Sequence, residues 1–201
     1  MRIDTDPDEA RDEILRRVLA AFWQQGAEST SYNDIVAASG LSRKALYRLW
    51  PEKDSLIHDA MTLYRTEVLA VFRDALALGG RRGLEAFWQT AVAGAASPGW
   101  RGCFLFRSAS GPLGADPVVR QHLDGHIEML RSSVTAAIEE AKVAGEVDAS
   151  LDAAAAGWQV AAITSLMSTF GAMSGNGTSV AELIKAGRVA CGLGPLADVA
   201  R

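Results

Sequence analysis

Four cations, Arg43, Lys44, Arg48 and Lys53, fall within eleven residues of the run "SRKALYRLWPEKDSL", separated by Tyr47 and Trp50 and countered only by Glu52. Cations interleaved with aromatics suit a solvated helix face, an anionic membrane surface or a nucleic acid. Phosphates take guanidinium and ammonium groups, and base edges offer acceptors to Arg and Lys. The chain as a whole is not basic: 201 residues carry 20 Lys and Arg against 24 Asp and Glu, a formal net charge of -4. Any affinity for nucleic acid must therefore be local to this segment.

Two other groups have types that could do chemistry. Cys103 sits in "PGWRGCFLF", at the start of a short helix with Arg101 and Arg107 close by, and both features favour a thiolate. His122 and His126 are spaced i, i+4, which is compatible with a metal, but no third ligand is indicated. The expectation is no metal and no cofactor, with the His pair on a polar edge of a pocket or on the surface. A thiol hydrolase pairing Cys103 with His122 or His126 is the enzyme alternative. It lacks any cue for an orienting group or an oxyanion site, and the sequence has neither a glycine-rich phosphate loop nor a nucleophile elbow. The expectation is that the protein is not an enzyme.

The elements that position these residues read as helices, because apolar spacing is helical throughout and no segment alternates like a strand. A first helix over residues 9–25 places Ile14, Leu15, Val18, Leu19 and Phe22 on one face and stops at Gly26. The acidic lead-in of Asp4, Asp6, Asp8 and Glu9 suits a solvated helix start. Ser31 and Asp34 have capping-box spacing for a second helix, broken at Ser39 and Gly40. Ser42 caps a third helix to about Arg48, with Ile35, Leu41, Leu46 and Leu49 turned inward. Pro51 ends it, and a long fourth helix runs from Lys53 for about six turns, with Ile57, Met61, Tyr64, Val68, Phe72 and Ala75 on one face, until Gly79 and Gly80. Further helices are expected over 82–96, over 103–109, from the Asp116-Pro117 cap to near Gly145, from Asp152, and over 178–191. Gly175, Asn176 and Gly177 interrupt the uncharged stretch Ala153–Ala181. That stretch is too rich in Ala, Gly, Ser and Thr for a membrane span, and no membrane partner is expected.

Two short helices joined at Gly40, with a third behind them, match a helix-turn-helix, whose second helix enters the major groove. The run "DIVAASGLSRKALYRLWPEKDSL", preceded by "ILRRVLAAFWQQGAESTS", resembles the DNA-binding region of TetR-type transcriptional regulators over residues 11–64. It departs from their pattern at Trp50, Lys44 and Ala45, the last two making the operator sequence unpredictable. The resemblance implies an all-α homodimer whose C-terminal region binds a small molecule and releases double-stranded operator DNA, with repression as the family default. A helix-turn-helix domain is expected over 1–52, joined by the long helix to a ligand-binding and dimerisation domain over 53–201.

Arg43 and Lys44, at the start of the reading helix, are assigned to base edges and Ala45 to a thymine methyl. Ser31, Tyr32, Tyr47, Arg48 and Lys53 are assigned to phosphates, and Ser42 joins them at the helix start. In the larger part, the uncharged helix has no polar stripe, so a partner subunit is the natural cover for its second side. Ala155, Ala156, Gly157, Ala161 and Ala162 would allow that partner's close approach. An effector, small and apolar or amphipathic, would sit among Trp88, Trp100, Phe104, Met129, Trp158, Met167 and Phe170, oriented by Arg107, His122 or His126. Cys103 belongs to the same set, and a Gly-Cys pair here resembles one branch of the family in which that Cys senses oxidants or electrophiles. Only two cysteines, Cys103 and Cys191, occur, far apart and without a secretory signal, and the expected compartment is the reducing cytoplasm.

Overall fold

Local chemistry sets the first three helices. The computed structural model describes residues 7–171, 173 and 177–194; Asp4, Asp6, Gly175 and Asn176 lie outside them. Helix α1 spans Pro7–Gln25, α2 Tyr32–Ser39 and α3 Arg43–Leu49. At α2 the Ser31 hydroxyl accepts from Asp34 N–H at 3.2 Å while the Asp34 carboxylate accepts from Ser31 N–H at 3.0 Å, a complete capping box. Gly40 closes α2 with φ 71°, its N–H donating to Val36 O, so the chain turns at a conformation that disfavours a side chain. Ser42 then caps α3 by accepting from Ala45 N–H.

The inward face is a continuous apolar cluster of Leu15, Val18, Leu19 and Phe22 with Ile35, Leu46 and Trp50, all at most 6% exposed. Leu49 departs from the sequence reading: it lies 37% exposed, and Trp50 fills the inner position instead. The Trp50 indole N–H donates to Asp59 Oδ2 at 2.7 Å, the same carboxylate pairs with Arg11, and the Arg11 guanidinium lies 4.9 Å over the Trp50 ring. A buried indole keeps its hydrogen bond in this way while its body packs.

The long connector is not one helix. Helix α4 covers Lys53–Leu63, a π-turn covers Tyr64–Val68, and α5 covers Ala70–Leu76. Leu69 N–H reaches back to Tyr64 O at 3.0 Å, the longer i→i+5 bond that inserts one extra residue. No Pro or Gly marks the place, so the apolar spacing hid it. Up to the bulge, Leu56, Ile57, Ala60, Met61 and Tyr64 complete the amino-terminal cluster; beyond it, Ala75 and Leu76 join a second one.

The rest of the chain builds that second cluster from α6 (Gly80–Ala96), α8 (Pro117–Val143), α9 (Ala153–Gly171) and α10 (Gly177–Ala190). The short α7 (Phe104–Ala109) and a 3-10 turn at Pro112–Ala115 lie between α6 and α8. Helix α9 packs along α8 and α10. At Gly157 a methyl group would come 2.7 Å from Arg131 O of α8, so this glycine sets the closest approach of the two helices. Ala156, Gly157 and Ala161 are buried within the chain, correcting the expectation that they face a partner; Ala155 is half-buried, and only Ala162 of that set is exposed. Among the described residues no strand occurs, and no helix is long and apolar enough to cross a membrane.

Candidate nucleic-acid interface and an internal cavity

The capped turn at Gly40 fixes α3 against α1 and α2 by Leu46 and Ile35, which leaves its opposite face outward. Arg43, Lys44, Tyr47 and Arg48 are all exposed there. Lys44 and Arg48 have neither a hydrogen bond nor an ion pair among the described residues. Arg43 differs: its guanidinium donates to Asn33 Oδ1 of α2 at 2.7 Å, which holds the side chain across the mouth of the helix pair. Ala45 is half-buried beside it. Tyr32 and Tyr47 stack at 5.2 Å between ring centroids, and burial together with Tyr47 raises the Tyr32 phenol, keeping it a neutral donor. Lys53 Nζ donates to Glu28 O at 2.9 Å, close to the start of α4. Ser31 and Ser42 are exposed but engaged in their caps. The structure thus gathers all nine residues of the expected DNA face on the α2–α3–α4 end, and adds Asn33, which the sequence analysis did not single out.

A cavity of about 80 Å³ opens inside the larger part. Leu69, Phe72, Phe87, Phe106, Leu130 and Met167 form its apolar surface, and Trp100 from the 97–102 loop closes one side. Tyr64, Cys103, His126, Thr164 and Ser168 supply its polar atoms. Of the residues expected to bind a ligand, Trp100, Cys103, His126 and Met167 come together here. The others lie elsewhere. Trp88 is fully buried where α6 meets α10, its ring filling the space left by Gly187. Phe104 is buried against the Tyr64 ring at 5.6 Å, Met129 and Phe170 pack on the second cluster, and Trp158 is 58% exposed on the outer side of α9 under Arg131. His122 faces the α4–α8 seam, where its Nε2 meets Thr62 Oγ1 at 3.4 Å and burial lowers its basicity. His122 and His126 therefore point to different surroundings, and no cluster of three His, Cys, Asp or Glu groups suited to a metal is found among the described residues. Tyr64 was missed because it read as one more apolar helix position; it opens the π-turn and lines the cavity.

Cys103 corrects the expected activation. Burial is the largest influence and pushes its thiol up, against the opposing pull of the Tyr64 hydroxyl, the Leu105 and Phe106 N–H groups and Arg107. The thiol is the neutral, weakly nucleophilic form at neutral pH. Arg107 donates to Trp23 O at 2.9 Å and Arg101 O at 3.2 Å, and its charge does not outweigh the effect of burial on the thiol.

The cavity side and the helix-turn-helix are physically joined. The Trp23 indole of α1 donates to Gly102 O at 2.8 Å, and the Trp23 ring meets Tyr64 edge-on at 5.4 Å. Leu113 N–H donates to Glu28 of the α1–α2 loop at 2.8 Å, and His58 of α4 bonds Asp116, the cap of α8, at 2.8 Å.

A capped helix-turn-helix with an exposed cationic face, packed on a larger helical part, has the form of a DNA-binding transcriptional regulator. Two family models agree with that class: one for bacterial regulatory proteins of the tetR family matches residues 14–60, and one for the tetracyclin repressor-like C-terminal domain matches residues 80–186. The chain belongs to the TetR family of transcriptional regulators, and the hydrolase alternative is set aside. An uncharacterized HTH-type transcriptional regulator, YezE of Bacillus subtilis, is 23% identical over 138 residues, 67% of this chain and 71% of that protein. Among solved structures, SCO4454, a TetR-family transcriptional regulator from Streptomyces coelicolor, superposes with a TM-score of 0.76 at 23% identity, over 92% of this chain and 95% of that one. A CifR cysteine mutant complexed with 26-bp double-strand operator DNA superposes at 0.73 and 20% identity, over 95% and 98%. At such identities these structures attest the fold.

Proposed function

We propose that this regulator is a cytoplasmic homodimer that represses from operator DNA and is released by a small uncharged effector in the cavity. The observation that carries the reading is the pairing of an exposed cationic face on α3, where Lys44 and Arg48 have no partner among the described residues, with a cavity whose lining residue Tyr64 touches both α1 and α7. Arg43 and Lys44 would read bases, and Ser31, Tyr32, Ser42, Tyr47, Arg48 and Lys53 would hold phosphates. The working division is 1–52 for DNA and 53–201 for effector and partner.

Dimerisation is supported by the outer face of α9 and α10. Ala154, Trp158, Ala162 and Leu166 recur every four residues, Trp158 and Leu166 at 58% and 45% exposure, and Val189 of α10 is 62% exposed. Large apolar side chains in one stripe on a helix without a charged residue suit a two-fold partner better than water.

For release, the occupant presses on Trp100, Cys103 and Tyr64. The same loop holds α1 through the Gly102–Trp23 bond, and Tyr64 bears on Trp23, so the head turns relative to the body and the two reading helices of the dimer lose their spacing. A nearly complete switch requires about 5.5 kcal/mol of differential affinity for the two states. The π-turn is where the connector can absorb the motion, since its hydrogen bonds are already off the α register. Sensing of electrophiles through Cys103 is the weaker reading, because burial keeps that thiol protonated.

Selection of bound fragments from genomic DNA with the purified full chain tests the first half. Enrichment of a few sites sharing a two-fold symmetric motif is expected, and uniform recovery of all fragments would overturn it.

A further inference from the structure

The polar atoms of the cavity are not equivalent. The Thr164 hydroxyl donates to its own helix at Val160 O and Ala161 O, and Ser168 donates to Thr164 O. Tyr64 accepts from Phe104 N–H at 3.2 Å and is hydrogen-bonded to Cys103. His126 stands apart: it is 5% exposed, its ring lies edge to face with Phe106 at 5.6 Å, and neither nitrogen has a partner among the described residues. The described side-chain atoms that are buried outright without a partner are Trp88 Nε1 and His122 Nδ1; the His126 nitrogens are not among them and so keep contact with open space, where a guest in the cavity can bond them.

We infer that the cavity takes a ring-sized, uncharged molecule carrying one hydroxyl-type group, with His126 as the side chain that reads that group. This rests on the proposal that the cavity is the effector site. Three features select the class. First, burial lowers the His126 imidazole to about 4, so at neutral pH it presents one N–H donor and one bare acceptor, and a hydroxyl can answer either. Second, none of the residues lining the cavity carries a charge, and Arg107 is committed to backbone carbonyls, so a carboxylate or ammonium would be desolvated without a counter-charge. Third, an apolar cavity of about 150 Å³ holds one benzene; at about 80 Å³ this one is about half that size, so it must widen to take even a single ring and admits nothing larger.

The test uses phenol, toluene and benzoate as probes on the full-length protein, with calorimetric titration for binding and fluorescence anisotropy of a selected genomic fragment for release. Phenol should bind about two- to twelvefold more tightly than toluene, the worth of one net hydrogen bond, and benzoate should give no binding. His126→Phe keeps the ring contact with Phe106 but has no hydrogen-bonding atom, so it should bind phenol and toluene equally. His126→Leu should do the same, and retained toluene binding in either shows that the cavity is intact. A benzoate preference, equal binding of phenol and toluene by the wild type, a phenol preference surviving in both variants, or no binding of any probe would overturn the inference. Phenol preference that depends on His126 without any change in DNA affinity would instead remove the effector reading and leave the assignment of His126 standing.

Discussion

Replacing Arg48 with Ala should weaken DNA binding without touching the fold, and the size of the effect can be worked out from its position. Arg48 is exposed near the end of α3 and has no partner among the described residues, so its loss removes no internal contact. Surface changes of that kind alter stability by about 0.5 kcal/mol or less. Each neutralised phosphate contributes about 0.9 to the slope of log affinity against log salt, so two Arg48 side chains in a dimer contribute about 1.8. Raising salt fourfold should then cost the wild type about 12-fold more affinity than the variant, being 4 raised to the power of about 1.8. Fluorescence anisotropy with a selected operator and with unrelated duplex, across a salt series, measures both slopes. Because phosphates carry no sequence, the slope change should be equal on the two DNAs. An unchanged slope, or a loss seen on the operator alone, would refute the assignment of Arg48 to the backbone.

Other substitutions separate the remaining roles. Arg43→Ala should lose about 1 to 3 kcal/mol of discrimination at one base pair of each half-site, and Asn33→Ala should lose part of it by freeing the guanidinium; binding to single-base operator variants reads both. If the outer face of α9 holds the proposed dimer together, Trp158→Glu with Leu166→Glu should yield a folded monomer where the wild type is dimeric, seen by light scattering with helical content retained; a monomeric wild type would remove the proposed pairing. For His126, the folded-state value of about 4 lies below the ordinary 6.5, so the unfolded chain binds the extra proton. Stability from this group is therefore whole above 6.5 and is lost as pH falls from 6.5 towards 4 and below, up to about 3 kcal/mol. Urea midpoints of the wild type should drop across that window more than those of His126→Phe.

What the sequence made legible, and what it hid, follows from the range of the interactions. The caps at Ser31 and Ser42, the turn at Gly40 and the cap at Asp116 are local hydrogen-bond chemistry, and each appears where its residues stand. The inward helix faces follow from spacing, except where two apolar residues are adjacent: of Leu49 and Trp50 the larger indole takes the inner position, with its N–H bonded to Asp59. The π-turn at Tyr64–Val68 was illegible because no residue type marks it. The cavity was read only in part. Trp88, Phe104 and Trp158 have the composition of a pocket, but burial among three helices, against Tyr64 or outward on α9 is a matter of rotation that spacing alone leaves open. Asn33 escaped notice because its partner, Arg43, sits on the next helix and the bond depends on how the turn folds.

Chemical footprinting of the purified protein on its most enriched genomic fragment tests the central claim most directly. The account predicts two symmetric patches of major-groove protection whose centres lie about one helical turn, roughly 34 to 36 Å, or a multiple of it apart, both lost on replacing Arg43 and Lys44 with Ala. Protection that is absent, confined to the minor groove, or unchanged in that double variant would contradict it.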